Sequence, residues 1–187
     1  MKKRILVTGG TGYIGSHTVV ELQNNGYEVI IVDNLSNSRA EVVDSIEKIT
    51  GIRPAFEKVD CLDYAGMDAV FSKYPGIKGI IHFAASKAVG ESVQKPLLYY
   101  RNNLVSLINL LELMPKHEVE GIIFSSSCTV YGQPDKLPVT EQAPIKKAES
   151  PYGNTKQINE EIIRDTVASG APIQAILPVS YTHLTLP

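Results

Sequence analysis

Cysteine is scarce: only two occur in 187 residues. Cys61 and Cys128 lie far apart, with no Cys-x-x-Cys or Cys/His spacing. That excludes a disulfide framework and offers no metal site, and a reducing, cytoplasmic setting is the expectation. Charge of one sign is lacking as well. Eighteen Lys and Arg against twenty Asp and Glu leave a formal charge of −2, which supplies no field for gripping nucleic acid. Long hydrophobic runs are missing. Val29-Ile30-Ile31-Val32 has the length of a strand, far below the ~20 residues that cross a bilayer. The basic Met1-Lys2-Lys3-Arg4 precedes a short strand and glycines rather than a signal core, so no membrane partner is expected. There is no repeat and no low-complexity tract. What remains, 43% hydrophobic and 20% charged, is the composition of a globular domain.

Short β-branched runs alternate with helical patterns. The period predicts strands at 4–7, Glu28–Val32, 55–59, 79–83, 121–125 and 173–177. Helices are predicted at 14–22, with Ile14, Thr18 and Leu22 on one face, and at 40–50 through Val43, Ile46 and Ile49. Further helices are expected near 67–74, from Pro96 to just before Pro115 (Leu97, Leu104, Leu107, Leu111, Met114), and at 152–169. Strand, helix, strand at this spacing predicts parallel pairing with right-handed crossovers, hence an α/β fold built as a doubly wound, Rossmann-like parallel sheet over residues 1–177. One segment, 126–151, is too long and aperiodic for an ordinary connection of roughly 2–6 residues. Loops at the carboxyl ends of strands are where open α/β sheets bind ligands.

The first strand runs into Gly9-Gly10-Thr11-Gly12-Tyr13-Ile14-Gly15. Glycines between a strand and a helix permit a tight turn and a close approach to a pyrophosphate. The second strand ends at Asp33, where a carboxylate can accept ribose hydroxyls and repel a 2′-phosphate, which favours NAD over NADP. Asp60, at the end of strand three, is a candidate for the adenine amino group. Tyr-x-x-x-Lys occurs twice. Tyr74 and Lys78 are separated by Pro75-Gly76, which breaks a helix, whereas Tyr152 and Lys156 share one face of a proline-free run. An ammonium beside a phenol favours phenolate, which equips Tyr152 to take a hydroxyl proton. Ser125-Ser126-Ser127 can add a hydroxyl to the same oxygen. His17 and His82 read as packed residues, His117 and His183 as surface or tail residues, Tyr99-Tyr100 as packing, and Cys128 as a small buried spacer.

With these residues in place, the chain resembles the extended short-chain dehydrogenase/reductase family. The resemblance is carried by the glycine turn, Asp33-Asn34-Leu35, His82 to Val93, Ser125 to Gly132 and Ser150 to Lys156. It implies NAD as cofactor, contacted by Gly9, Gly12, Tyr13, Ile14, Gly15, Asp33, Asn34, Leu35, Ser36, Asn37, Ser38, Asp60, Cys61, Phe83, Ala84, Ala85, Ser86, Lys87, Asn102, Tyr152 and Lys156. It implies Tyr152, Lys156 and Ser127 as the catalytic set, with Ser127 and Thr129 at the substrate. Ala85-Ser86 departs from the family's frequent Gly-Leu. Dehydrating relatives carry an Asp-Glu pair where Cys128 and Thr129 stand, and decarboxylating relatives a Glu at the Thr129 position.

With no carboxylate there, the implied activity is hydride removal and return at C4 of a UDP-sugar, interconverting UDP-glucose and UDP-galactose. The other readings are an epimerase of acidic or N-acetylated sugar nucleotides and an inactive NAD-binding fragment. The family also implies a homodimer through helices 96–114 and 152–169. From Pro178 to Pro187 the family pattern is lost; this tail is expected to be non-native, with a substrate domain missing beyond it and a parent protein roughly twice as long.

Overall fold

The computed structural model describes residues 3–180. In chain order the elements are β1 (Arg4–Thr8), α1 (Tyr13–Asn24), β2 (Glu28–Val32), α2 (Glu41–Thr50), β3 (Ala55–Glu57), α3 (Tyr64–Lys73) and β4 (Ile77–His82). Then follow α4 (Val89–Gln94), α5 (Pro96–Lys116), β5 (Gly121–Phe124), β6 (Ser126–Ser127), a 3-10 turn (Cys128–Tyr131), α6 (Pro151–Ala168), β7 (Gln174–Ile176) and β8 (Val179–Ser180). Six strands pair in parallel in the order β3-β2-β1-β4-β5-β7. The order reverses between β1 and β4, and that switch point opens a crevice at the carboxyl edge.

Alternation along each strand sends neighbouring side chains to opposite faces. Leu6, Ile30 and Ile80 join Met67, Phe71, Leu107 and Leu110 under α3 and α5, while Val7 and Ile31 meet Val19, Val43 and Ile46 under α1 and α2. Each such side chain taken out of water stabilises the fold by about 1.5–3 kcal/mol before entropy is counted. Both faces of the sheet are covered, as an all-parallel sheet requires.

Several expectations need correction. Helix α1 buries Gly15, Val19 and Gln23 rather than Ile14, Thr18 and Leu22. A Cβ on Gly15 would stand 2.2 Å from the Gly9 carbonyl oxygen, so the glycine contact sets the rotation of the helix and turns Ile14 outward. His17 is exposed, its ring edge-on to Tyr13. His117 is half-buried, stacked on Phe71 and joined to Asp68 at 2.6 Å. Cys128 is only half-buried. Ile49 and Leu97 point to solvent.

Helix α5 continues through Pro115, which falls in the last turn and gives up one backbone hydrogen bond there; the Val119 N–H bonds back to Met114. Helix α4 is too short to show a period, and β3 keeps three residues of the five expected. Segment 126–151 is partly regular, because β6 pairs in parallel with β8 and the 3-10 turn follows it. His183 and most of the tail, from 181 on, lie outside the described residues.

Candidate active site

Gly9 adopts φ 69° and donates its N–H to the Val32 carbonyl at 2.8 Å. A side chain there would press within 2.8 Å of the Ala84 backbone nitrogen. The turn therefore needs glycine twice, at Gly9 for conformation and contact and at Gly15 for helix packing. Gly12 caps α1 without a side chain, and no acidic residue occupies the first turn. The first N–H groups of α1 thus remain available at the positive end of the helix dipole, on a cavity of about 550 Å³ walled by Gly9, Gly12, Tyr13, Ile14 and Gly15. This cradle fits the pyrophosphate of a dinucleotide.

Asp33 follows β2 and is buried. One carboxylate oxygen accepts the Thr11 N–H at 3.2 Å; the other accepts the Leu35 N–H at 2.9 Å and the Ser38 hydroxyl at 3.0 Å. Held on both oxygens, the carboxylate is fixed on the cavity wall beside Asn34, Ser36, Asn37 and Ser38. Asp60 accepts from the Asn34 amide at 2.9 Å and from the Leu62 N–H at 2.9 Å. Burial, followed by the charges of Asp60 and Asp33, pushes the Cys61 thiol up to about 12, so it stays protonated and unreactive. Opposite lies the segment Phe83, Ala84, Ala85, Ser86 and Lys87. Its Ser86 N–H bonds to Asn103 at 2.8 Å, and Asn102 donates to the Ser86 hydroxyl at 3.1 Å.

The same cavity is also lined by Ser125, Ser126, Ser127, Tyr152 and Lys156. Ser150 caps α6 by accepting the Gly153 N–H, and Pro151 begins the helix, which sets Tyr152 and Lys156 one turn apart. Lys156 is buried and donates to the Ser125 carbonyl at 2.8 Å, with its ammonium 4.6 Å from the Phe124 ring centroid and 5.9 Å from that of Tyr152. Burial pulls its pKa down to about 8, and the Glu160 charge opposes the fall. The Ser127 hydroxyl accepts the Thr129 N–H at 3.4 Å.

Of the candidate site residues, only Leu35 and Thr129 stand off the cavity wall. Leu35 takes part through its backbone, with φ 61°. The Thr129 hydroxyl is buried and has no hydrogen-bond partner among the described residues. Sequence reasoning read Tyr99 as packing and gave Glu91 no role, whereas both line the cavity, with the Tyr99 hydroxyl 2.9 Å from Glu91. It also passed over Thr11 and Glu160. Thr11 and Glu91 lie inside stretches already singled out but gain their roles, like Tyr99 and Glu160, only from contacts across the fold.

Sheet order, glycine turn and the cavity between them define a doubly wound α/β protein of the dinucleotide-binding class. The chain belongs to the NAD dependent epimerase/dehydratase family, whose pattern matches residues 5–184. It is 51% identical over 177 residues to the UDP-glucose 4-epimerase of Schizosaccharomyces pombe, covering 92% of this chain and 49% of the relative. It is 53% identical over 161 residues to the UDP-glucose 4-epimerase of Bacillus subtilis, covering 86% and 47%. The crystal structure of the Bifidobacterium longum UDP-glucose 4-epimerase with NAD+ and UDP superposes with a TM-score of 0.91 at 47% identity, over 94% of this chain and 52% of that one. The chain therefore spans about half the length of the curated relatives it matches.

Proposed function

We propose that this chain holds NAD and contributes the reacting groups for interconversion of UDP-glucose and UDP-galactose by transient oxidation at sugar C4. The observation that carries the reading is convergence: the glycine turn with Asp33 and the Ser127, Tyr152, Lys156 group line one and the same cavity. Gly9, Gly12 and Gly15 leave room for the pyrophosphate, Asp33 meets the adenosine ribose, and the 83–87 segment with Asn102 flanks the nicotinamide end. Bound NAD supplies the hydride acceptor and donor. Tyr152 accepts the C4 hydroxyl proton at its phenolic oxygen and returns it; the Lys156 ammonium favours the phenolate, and Ser127 orients the hydroxyl. Cys128 and Thr129 put no carboxylate beside the sugar, which supports epimerisation over elimination of water.

We infer further that residues 1–177 form the NAD-binding domain, that the remaining substrate contacts come from a segment corresponding to the unmatched half of the relatives, and that the protein works in the cytoplasm. Among the described residues no helix is long and apolar enough to cross a membrane. Pairing of two copies through α5 and α6 is supported by the outward Leu97, Val105 and Ile108 of α5 and Val167 of α6; sedimentation equilibrium of a full-length form at the monomer mass would refute it.

The activity test is conversion of UDP-galactose to UDP-glucose by this chain and by a full-length form. Tyr152→Phe lowers kcat by about 100-fold or more. Turnover equal to the unmodified protein overturns the assignment.

A further inference from the structure

Glu160 lies one helical turn beyond Lys156 on α6 and is 5% exposed. A buried carboxylate is costly without partners. Its first is Arg164, at 2.5 Å, whose side chain is 51% exposed. An i,i+4 pair of this kind forms equally well with both partners at the surface, so Arg164 does not explain why the carboxylate is turned inward. The second partner does: the buried Ser126 hydroxyl donates to the other carboxylate oxygen at 2.5 Å.

Ser126 is the middle of the serine triplet. Alternation sends its side chain away from those of Ser125 and Ser127. Helix α6 therefore grips the triplet twice, through Lys156 on the Ser125 carbonyl at 2.8 Å and through Glu160 on the Ser126 side chain. The Ser126 N–H is tied to the Pro178 carbonyl at 3.0 Å, which fixes the segment from a third side.

We propose that Glu160 is a positioning residue: through Ser126 it holds the triplet so that the Ser125 carbonyl meets Lys156 and the Ser127 hydroxyl faces the cavity. The inference rests on the reading that Ser127, Tyr152 and Lys156 perform the chemistry, and it assigns the group that sets their spacing. No part of the carboxylate reaches a reacting atom; beside its charge, which favours the Lys156 ammonium, it acts through Ser126 on the serine backbone.

The test reads the geometry and the function separately. In the chain labelled with 15N-lysine, a hydrogen-bonded, buried Lys156 ammonium exchanges slowly with water, and its signal is assigned by its loss in Lys156→Met. Ser126→Ala accelerates that exchange about tenfold, Ser126→Thr restores it, and Glu160→Gln, which keeps an acceptor for Ser126, changes it less than Glu160→Ala. Should Ser126→Ala fail to fold, Ser126→Cys, with its weaker donor, is read in its place.

Slow exchange retained in Ser126→Ala, or in Ser126→Cys where that is read, overturns the proposal, as does a loss of melting temperature with no change at Lys156. NAD titration of the unmodified chain is the second arm. Failure to bind NAD while Lys156 still responds to Ser126 sinks the proposed function and leaves the positioning role standing.

Discussion

Between pH 7 and pH 5, acid should destabilise this fold through His82. It ends β4, is 2% exposed, lies 2.7 Å from the Thr8 hydroxyl through Nδ1 and stacks on Phe124. Burial, and after it the charge of Lys156, lowers its pKa from 6.5 to about 3. The folded state therefore takes up its proton later than the unfolded chain. Stability due to this difference is present above pH 6.5 and is lost as pH falls from 6.5 toward 3. At 1.36 kcal/mol per unit the full loss is about 5 kcal/mol, of which about 2 kcal/mol is spent between pH 7 and pH 5. For a chain of this size that corresponds to roughly 4–8 °C in melting temperature. Urea unfolding followed by circular dichroism at pH 7, 6 and 5 measures it. His82→Asn keeps an acceptor for Thr8 and removes the titrating ring, so its stability should fall less over the same interval, the two curves diverging by about 2 kcal/mol. Parallel curves for the two proteins would show that His82 is hydrated or charged in the fold, and the reasoning would fail.

Gly15→Ala should lower stability by about 1–3 kcal/mol and weaken NAD binding at least tenfold, because its Cβ would stand 2.2 Å from the Gly9 carbonyl oxygen; calorimetric titration at unchanged affinity would contradict the packing argument. Asp33→Asn should weaken NAD about tenfold while narrowing the preference over NADP, since the amide cannot accept from Thr11, Leu35 and Ser38 together. An unchanged ratio of the two affinities would remove Asp33 from cofactor selection.

Much of this was legible in the sequence because period and glycine spacing are local. The parallel order, the turn and the Tyr152–Lys156 spacing need only neighbours along the chain. Rotation of α1 was not legible. Ile14, Thr18 and Leu22 make an apolar stripe as good as any, and what overrides it is contact between Gly15 and Gly9, a distance no hydrophobic pattern carries. The same holds for α4, hidden in six residues, and for Glu160, to which no pattern in the sequence draws attention. Its burial depends on Ser126, thirty-four positions away.

The buried polar groups around Lys156 make a consistent electrostatic arrangement. A lysine lowered to about 8 by burial is still mainly charged at neutral pH, and it keeps that charge against a neutral His82 on one side and the Glu160 carboxylate on the other. Protonation of His82 would set a second cation beside the ammonium and disfavour it; loss of the Glu160 charge would do so by a different route. The two perturbations therefore act on the same observable, the protonation of Lys156, and in the same direction. A double variant, His82→Asn with Glu160→Gln, separates them. If Lys156 titrates in it as in Glu160→Gln alone, the neutral histidine contributes only packing, and the ammonium is held by Glu160 and the Ser125 carbonyl.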